Sequence, residues 1–239
     1  MKYILSFIFI LSSFFLSAQA EKISNVDSFI ALQNSGSPIQ AGSTISSYSL
    51  KTPSKIKGSI YLFDNWLNSS KIYFLNNESA YNLSTLNYNI QSERFEFKYS
   101  EDSLFVINSS NVDRIIIKNK KFKTYIDPDS NVSSFFEEIF ISDELSLLKK
   151  YKLGINEGAV NQMTGKKLNP DSYSKIEKYY VLKSSDNDVL TEVRLNKKIL
   201  NTIIEKDNLN KVKAFSKENS LSYKDESDLK IILNYSKSL

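Results

Sequence analysis

The stretch Leu86-Asn87-Tyr88-Asn89-Ile90-Gln91-Ser92-Glu93-Arg94-Phe95-Glu96-Phe97-Lys98-Tyr99 alternates its side chains with period two on either side of a polar centre. Phe95, Phe97 and Tyr99 share one parity, and Arg94, Glu96 and Lys98 the other. Successive strand residues point to opposite faces, so this is the pattern of a strand with one face in a core and one in water. Gln91-Ser92-Glu93 has the length of a hairpin turn. The chain is predicted to be an antiparallel β protein built around this hairpin.

Upstream lie the short apolar runs Ile60–Phe63 and Ile72–Leu75. Tyr81 and Leu83 have one parity and Leu86, Tyr88 and Ile90 the other, which predicts a bulge near Ser84-Thr85. Downstream come Leu104–Ile107, Val112–Lys118, Phe122–Ile126, Phe135–Ile141 and Leu145–Leu153, separated by Asn-, Ser- and Asp-rich turns such as Asn119-Lys120 and Asp127-Pro128-Asp129. Short strands at this spacing describe a meander, hence a sandwich, roll or partly open barrel. Residues 154–174 are polar, hold Gly158, Gly165 and Pro170, and read as a long loop. Ile176–Leu182 and Val189–Leu195 form a second hairpin, with Val189, Thr191, Val193 and Leu195 facing inward.

After Leu195 the period becomes helical. Asn196 is placed to cap a helix carrying Ile199, Leu200, Ile203 and Ile204. Leu209, Val212 and Phe215 mark a second helix, and Asp225–Asp228 open a third with Leu229, Ile232 and Leu233 inward. The predicted fold class is α+β: an antiparallel β body over residues 58–195 and a small C-terminal helical subdomain over 196–239. Residues 21–57, rich in Ser and without a sustained period, are expected to be a loosely structured N-terminal segment.

Met1-Lys2, an apolar run from Tyr3 to Leu16, and Ser17-Ala18-Gln19-Ala20 have the layout of a secretory signal peptide, with cleavage expected after Ala20. No transmembrane segment is expected once it is removed. The chain has 239 residues, a net charge of +4, and neither Cys nor His. An exported chain without Cys must hold its core by packing alone. Without His, serine triads, His-ligated zinc and imidazole bases lose their central residue, and without Cys thiolate chemistry goes too. Carboxylate, Ser–Lys, Tyr or Lys chemistry remains open. The modest charge, together with export, argues against nucleic acid.

Gly58-Ser59-Ile60-Tyr61-Leu62, Trp66, Ile72-Tyr73, Tyr81, Leu86–Ile90 and Phe95-Glu96-Phe97 together resemble an uncharacterised family of exported proteins of Bacteroidota-type bacteria. Phe215 and Asn219-Ser220-Leu221-Ser222-Tyr223 before an acidic-capped helix look like the same family. The resemblance covers most of the chain beyond the leader. It implies a signal peptide, a β-rich body and a helical C-terminus, and no activity. The terminal helix looks unlike the β-rich sorting domains of such bacteria, which implies a periplasmic or outer-membrane-associated location.

The candidate ligand-binding residues are two basic clusters with interleaved rings: Lys118, Lys120, Lys121 and Lys123, then Lys149, Lys150, Tyr151 and Lys152. Such a mixture suits an anionic lipid or glycan. The same lysines also read as edge-strand charges that discourage aggregation. Trp66, after a strand, is a candidate sugar or partner contact, or a core residue. Asp127, Asp129 and Asn131 with Glu138 have EF-hand spacing, but Val132 stands where Gly is needed and no helices flank the loop. A turn explains them more simply, and no metal or cofactor is expected. Ser54-x-x-Lys57 with Ser185-Asp186-Asn187 matches two motifs of penicillin-binding enzymes, but Lys51-Thr52 is followed by Pro53 and the third motif fails. Glu137 and Glu138, adjacent in a strand, should face opposite sides. Asp102-Ser103-Leu104 resembles a short O-glycosylation site of these bacteria. The function expected from the whole is a non-enzymatic envelope protein with a structural or assembly role through contacts with protein partners. The alternatives are a binding module for an anionic lipid or glycan and, last, a carboxylate-based hydrolase.

Overall fold

The computed structural model describes residues 56–75, 77–99, 104–184 and 189–239. The leader, nearly all of the 21–57 segment, Ser54, Asp102-Ser103 and Ser185-Asp186-Asn187 lie outside the described residues. The strands are β1 (Ser70–Phe74), β2 (Asn77–Leu83), β3 (Leu86–Asn89), β4 (Arg94–Lys98), β5 (Leu104–Val106), β6 (Val112–Ile117), β7 (Lys120–Ile126), β8 (Ser133–Ile141), β9 (Leu145–Asn156), β10 (Ser172–Lys183) and β11 (Thr191–Val193). They form an eight-stranded sheet in the order β11-β10-β9-β8-β7-β6-β1-β2 and a three-stranded sheet β3-β4-β5. The strand ladders are all antiparallel, and the fold is the predicted α+β arrangement without a closed barrel. Three helices follow: α1 (Ile199–Ile203), α2 (Leu209–Glu218) and α3 (Glu226–Lys237). Among the described residues no helix is long and apolar enough to cross a membrane.

The central hairpin is as predicted, with Leu86 opposite Phe97 and Tyr88 opposite Phe95. Its turn closes with Glu93 in the left-handed region, at φ 52°. Phe95 packs its ring 5.2 Å from Phe122 and 4.9 Å from Phe135, joining the small sheet to the large one. Burying each such ring contributes about 1.5–3 kcal/mol. The water face of the hairpin is a correction. Glu96 is 0 % exposed and Asn87 and Asn89 are buried, whereas Tyr99 is 51 % exposed. The cause is the segment before β1. Leu62 N–H donates to Tyr88 O and Ile90 N–H to Ile60 O, so residues 60–66 lie along β3 and cover its polar side.

That segment is not the expected strand. Only Tyr61 bridges β3, at Asn89. The Asn87 side chain takes over the backbone pairing, accepting from Phe63 N–H at 3.1 Å and donating to Phe63 O at 2.8 Å. The expected bulge at Ser84-Thr85 is also corrected: there the chain leaves the large sheet after Leu83 and enters the small one at Leu86. The parity change records a change of sheet. The bulges fall at Tyr73/Phe74 and between Glu138 and Phe140.

Two turns are tighter than expected. Lys118 and Asn119, at φ 47° and 64°, form the two-residue turn between Ile117 and Lys120. Both central residues at positive φ match the right-handed twist of the flanking strands. The loop expected over 154–174 shrinks to 157–171, because β9 and β10 pair through twelve positions from Leu145–Lys183 to Asn156–Ser172. Of the expected inward face around β11, Val193 and Leu195 pack against the core, whereas Val189 and Thr191 are exposed and Leu190 is buried instead.

Besides the small cluster of Phe136, Leu148, Tyr180 and Leu190, the large sheet carries two apolar clusters that join it to its neighbours. One joins Ile72, Ile115, Ile117, Phe122 and Phe135 to the small sheet. The other joins Ile139, Leu145, Leu147 and Val181 to Leu200, Val212, Leu229 and Ile232 of the helices. Asp225 caps α3, accepting from the backbone N–H of Ser227 and Asp228. Asn196, expected to cap α1 directly, lies three residues before Ile199 and its side chain accepts from the N–H of Lys198, which holds the cap position.

Candidate functional site

The two basic clusters do not survive as clusters. Strand alternation sends neighbouring lysines to opposite faces of the sheet. The register Phe122–Glu137–Lys149 places Glu137 and Lys149 on one face, so Lys150 lies on the other. On the first face Glu137 is the centre. It accepts from Lys120 Nζ at 2.8 Å and from Tyr151 Oη at 2.5 Å, and Lys149 Nζ stands 3.5 Å away. Lys149 in turn donates to Glu226 of α3 at 2.5 Å, with Glu177 at 3.8 Å. Tyr179 Oη donates to Glu177 and Glu226. This polar seam ties β7, β8, β9 and β10 to the first turn of α3.

Burial alone would lower the Lys149 ammonium, but the Glu226 hydrogen bond and the surrounding carboxylates Glu137 and Glu177 hold it above its ordinary value. Burial first, and the charge of Glu137 next, push the Tyr151 hydroxyl far up. A phenol so held is a hydrogen-bond donor and not a base.

On the second face Lys150 donates to Glu93 at 2.7 Å and to Asp127 at 2.8 Å, with Phe136 beneath it. Ser134 Oγ also donates to Glu93, which anchors the turn of the central hairpin. Asp127 organises its own loop, accepting from the Asp129 backbone and the Ser130 hydroxyl, with Asn131 at φ 55°. Burial would raise the Asp127 carboxyl, but the Lys150, Asp129 and Ser130 hydrogen bonds outweigh it and hold it below the usual carboxylate range.

The remaining candidates are distributed. Lys152 pairs with Asp129 at 2.5 Å, Lys121 with Glu138 at 2.7 Å and Lys123 with Asp113 at 3.5 Å. Lys118 sits in its turn, its ammonium 5.2 Å from the Phe63 ring. Trp66 packs edge-on against Tyr61 at 4.7 Å and is half-buried. Glu138 accepts from Tyr125 Oη at 2.7 Å, so Glu137 and Glu138 do face different partners. Of the residues with EF-hand spacing, Asp127, Asp129 and Glu138 thus face ammonium groups, with a phenol also at Glu138, and Asn131 sits in the turn. Among the described residues no three acidic side chains gather where a metal ion would sit.

A recess of 440 Å³ opens elsewhere, between the β8–β9 turn and the helices, over Phe140, Leu145, Ile203 and Leu233 with Asp143 and Glu205 at its edge. Sequence reasoning did not find it, because its walls come from segments about 60 to 90 residues apart that only the packing of α1 and α3 brings together. Comparison with family models, curated proteins and solved structures finds no match to this chain.

Proposed function

We propose that this is a non-enzymatic exported protein of the cell envelope that acts structurally, by contacts with protein partners. The observation that carries the reading is the fate of the ionisable groups. Lys149, Lys150, Asp127, Glu96 and Glu137, the most deeply buried charges among the described residues, are each matched by partners that brace one element against another, Glu96 through Tyr61 and Asn89. Catalytic groups are held near a cleft with perturbed acidity and an open approach. Here the acidity changes follow burial and internal pairing. The sequence features that support export and a periplasmic or outer-membrane-associated location are the leader and the family resemblance. Binding of an anionic lipid or glycan through the lysine clusters is the weaker reading, since six of those seven lysines already have a carboxylate within ion-pair distance.

The test is affinity capture of the tagged protein from the envelope of the cell that makes it, with cross-linking before lysis. Recovery of a stoichiometric complex with defined envelope proteins is the expected result. Recovery of the protein alone overturns the assembly reading.

A further inference from the structure

Lys150 is the first β9 residue beyond the last pair with β8, Glu137–Lys149. Its Nζ lies 2.8 Å from Asp127 Oδ2 and 2.7 Å from Glu93 Oε2. The lysine side chain is 0 % exposed and that of Asp127 3 %. The walls are aromatic. The centre of the Phe136 ring is 5.6 Å from the ammonium, and Tyr180 packs edge-on to Phe136 at 5.4 Å. Both rings are fully buried. A lysine nitrogen and a carboxyl group are thus enclosed in contact, with a second carboxylate on the same nitrogen.

An ion pair at this depth is costly, since both ions give up their water. Condensing the two groups into an amide removes both charges, and an amide costs far less to bury. Contact within a fold also replaces an encounter in solution by an effective concentration of roughly 10⁵ M or more. Asp127 is set up as the acceptor. The Asp129 N–H donates to Oδ1 at 3.2 Å, where charge collects when Cγ is attacked, and Ser130 Oγ donates to Oδ2 at 3.0 Å. The next residue is Pro128, whose nitrogen carries no hydrogen. The succinimide ring by which an aspartyl group otherwise loses water is therefore closed to Asp127. Lys149, next along β9, has no comparable acceptor. Glu226 is partly open to solvent, and Glu137, 3.5 Å away, is taken up by Lys120 and Tyr151.

We propose that Lys150 Nζ and Asp127 Cγ join in an amide cross-link within the folded chain, with Glu93 as the proton carrier. The ammonium gives a proton to Glu93, and the amine so formed attacks Cγ. Negative charge gathers on Oδ1 against the Asp129 N–H. Oδ2 leaves as water, taking the two protons that the nitrogen gives up and that Glu93 passes on. The Cγ–Oδ2 bond breaks, the C–N bond forms, and the nitrogen keeps one hydrogen. Nothing is oxidised or reduced, and no co-reactant is needed. Chains in which the bond has not closed keep the ion pair and its dependence on pH. The cross-link ties the end of β7 to the middle of β9, a covalent brace in a chain without cysteine. It stands apart from the protein-contact reading, and either can fail alone.

The test is the intact mass of the purified protein after denaturation, followed by tryptic mapping. The parent should be lighter than its sequence by one water. The peptide of residues 124–149 should carry Lys150-Tyr151-Lys152 as a branch on Asp127. Lys150→Arg should show the full mass. Glu93→Gln, which leaves Lys150 beside Asp127, should close at least about a hundredfold more slowly, the usual loss when a general acid–base group is removed. Each variant is measured on its folded fraction, separated by gel filtration, so that a failure to fold is not read as a failure to close. The proposal is overturned if the parent has its full mass, if water is lost without the branched peptide, or if Glu93→Gln closes as fast as the parent.

Discussion

Lys150 Nζ lies 2.8 Å from Oδ2 of Asp127, and both side chains are buried. The ammonium also meets Glu93, so one lysine in the middle of β9 holds both the β7–β8 loop and the turn of the central hairpin. Lys150→Met should therefore destabilise the protein by about 3–5 kcal/mol, because it leaves Asp127 charged and unpaired in the interior. Adding Asp127→Asn should recover part of the loss. Urea denaturation of the two variants measures both, and equal stability of the single and double variants would contradict the pairing.

The same carboxylate sets an acid limit. The Asp127 acid group is held below its ordinary value in the folded protein. Its contribution to stability is full above the unfolded value of about 3.9 and is lost as pH falls through the lower folded value. Asp127→Asn should flatten the acid limb of a melting-temperature profile. Lys149 has the opposite sign, being raised. Its contribution is full below about 10.4 and is lost as pH rises through the higher folded value. Glu226→Gln should flatten that alkaline limb, and the loss should be read in proteolysis between β11 and α3, where this pair ties the helices to the sheet.

Glu96 accepts from Tyr61 Oη at 2.8 Å, Asn89 Nδ2 at 3.1 Å and Arg94 Nε at 2.7 Å. Glu96→Ala should cost about 3 kcal/mol, since it strips an acceptor from buried Asn89 and from half-buried Tyr61 and Arg94. Hydrogen exchange should rise first at Leu62, whose N–H pairs with Tyr88 only while the 60–66 segment lies down on β3. Protection of Leu62 equal to that of the parent protein would rule out this role.

The Tyr88 and Tyr180 hydroxyls are buried with no hydrogen-bond partner among the described residues. Each phenol is pushed up, first by burial. Removing a polar group that has nothing to bond restores no penalty, so Tyr180→Phe and Tyr88→Phe should each be neutral or stabilising by up to about 1 kcal/mol. A calorimetric melting temperature that falls by several degrees in either variant would show that the hydroxyl does have a partner.

Lys118-Asn119 is a turn with both central residues at positive φ. Asn-Gly is the preferred pair for that geometry. Lys118→Asn with Asn119→Gly should raise stability by about 1 kcal/mol, chiefly by removing left-handed strain at Lys118. Thermal melting of the double variant checks it, and no gain would mean that the Lys118 contact over Phe63 outweighs the strain.

Period-two alternation from Leu86 to Tyr99, and the change to helical spacing after Leu195, determined the fold class and most of the elements from the sequence alone. Those signals are local, and burial on one face writes them directly into residue order. Tertiary structure alone decided three things. The 60–66 segment turned the polar side of the hairpin into an interior, so Glu96 became buried although its strand pattern reads as exposed. The parity break at Ser84-Thr85 became a passage between two sheets. The sequence also showed seven lysines in two runs without showing that alternation would separate Lys149 from Lys150 and bring each to carboxylates on distant elements. Residue order records which side of a strand a charge takes. What waits on that side depends on contacts between elements far apart in the chain, and a single sequence does not carry them.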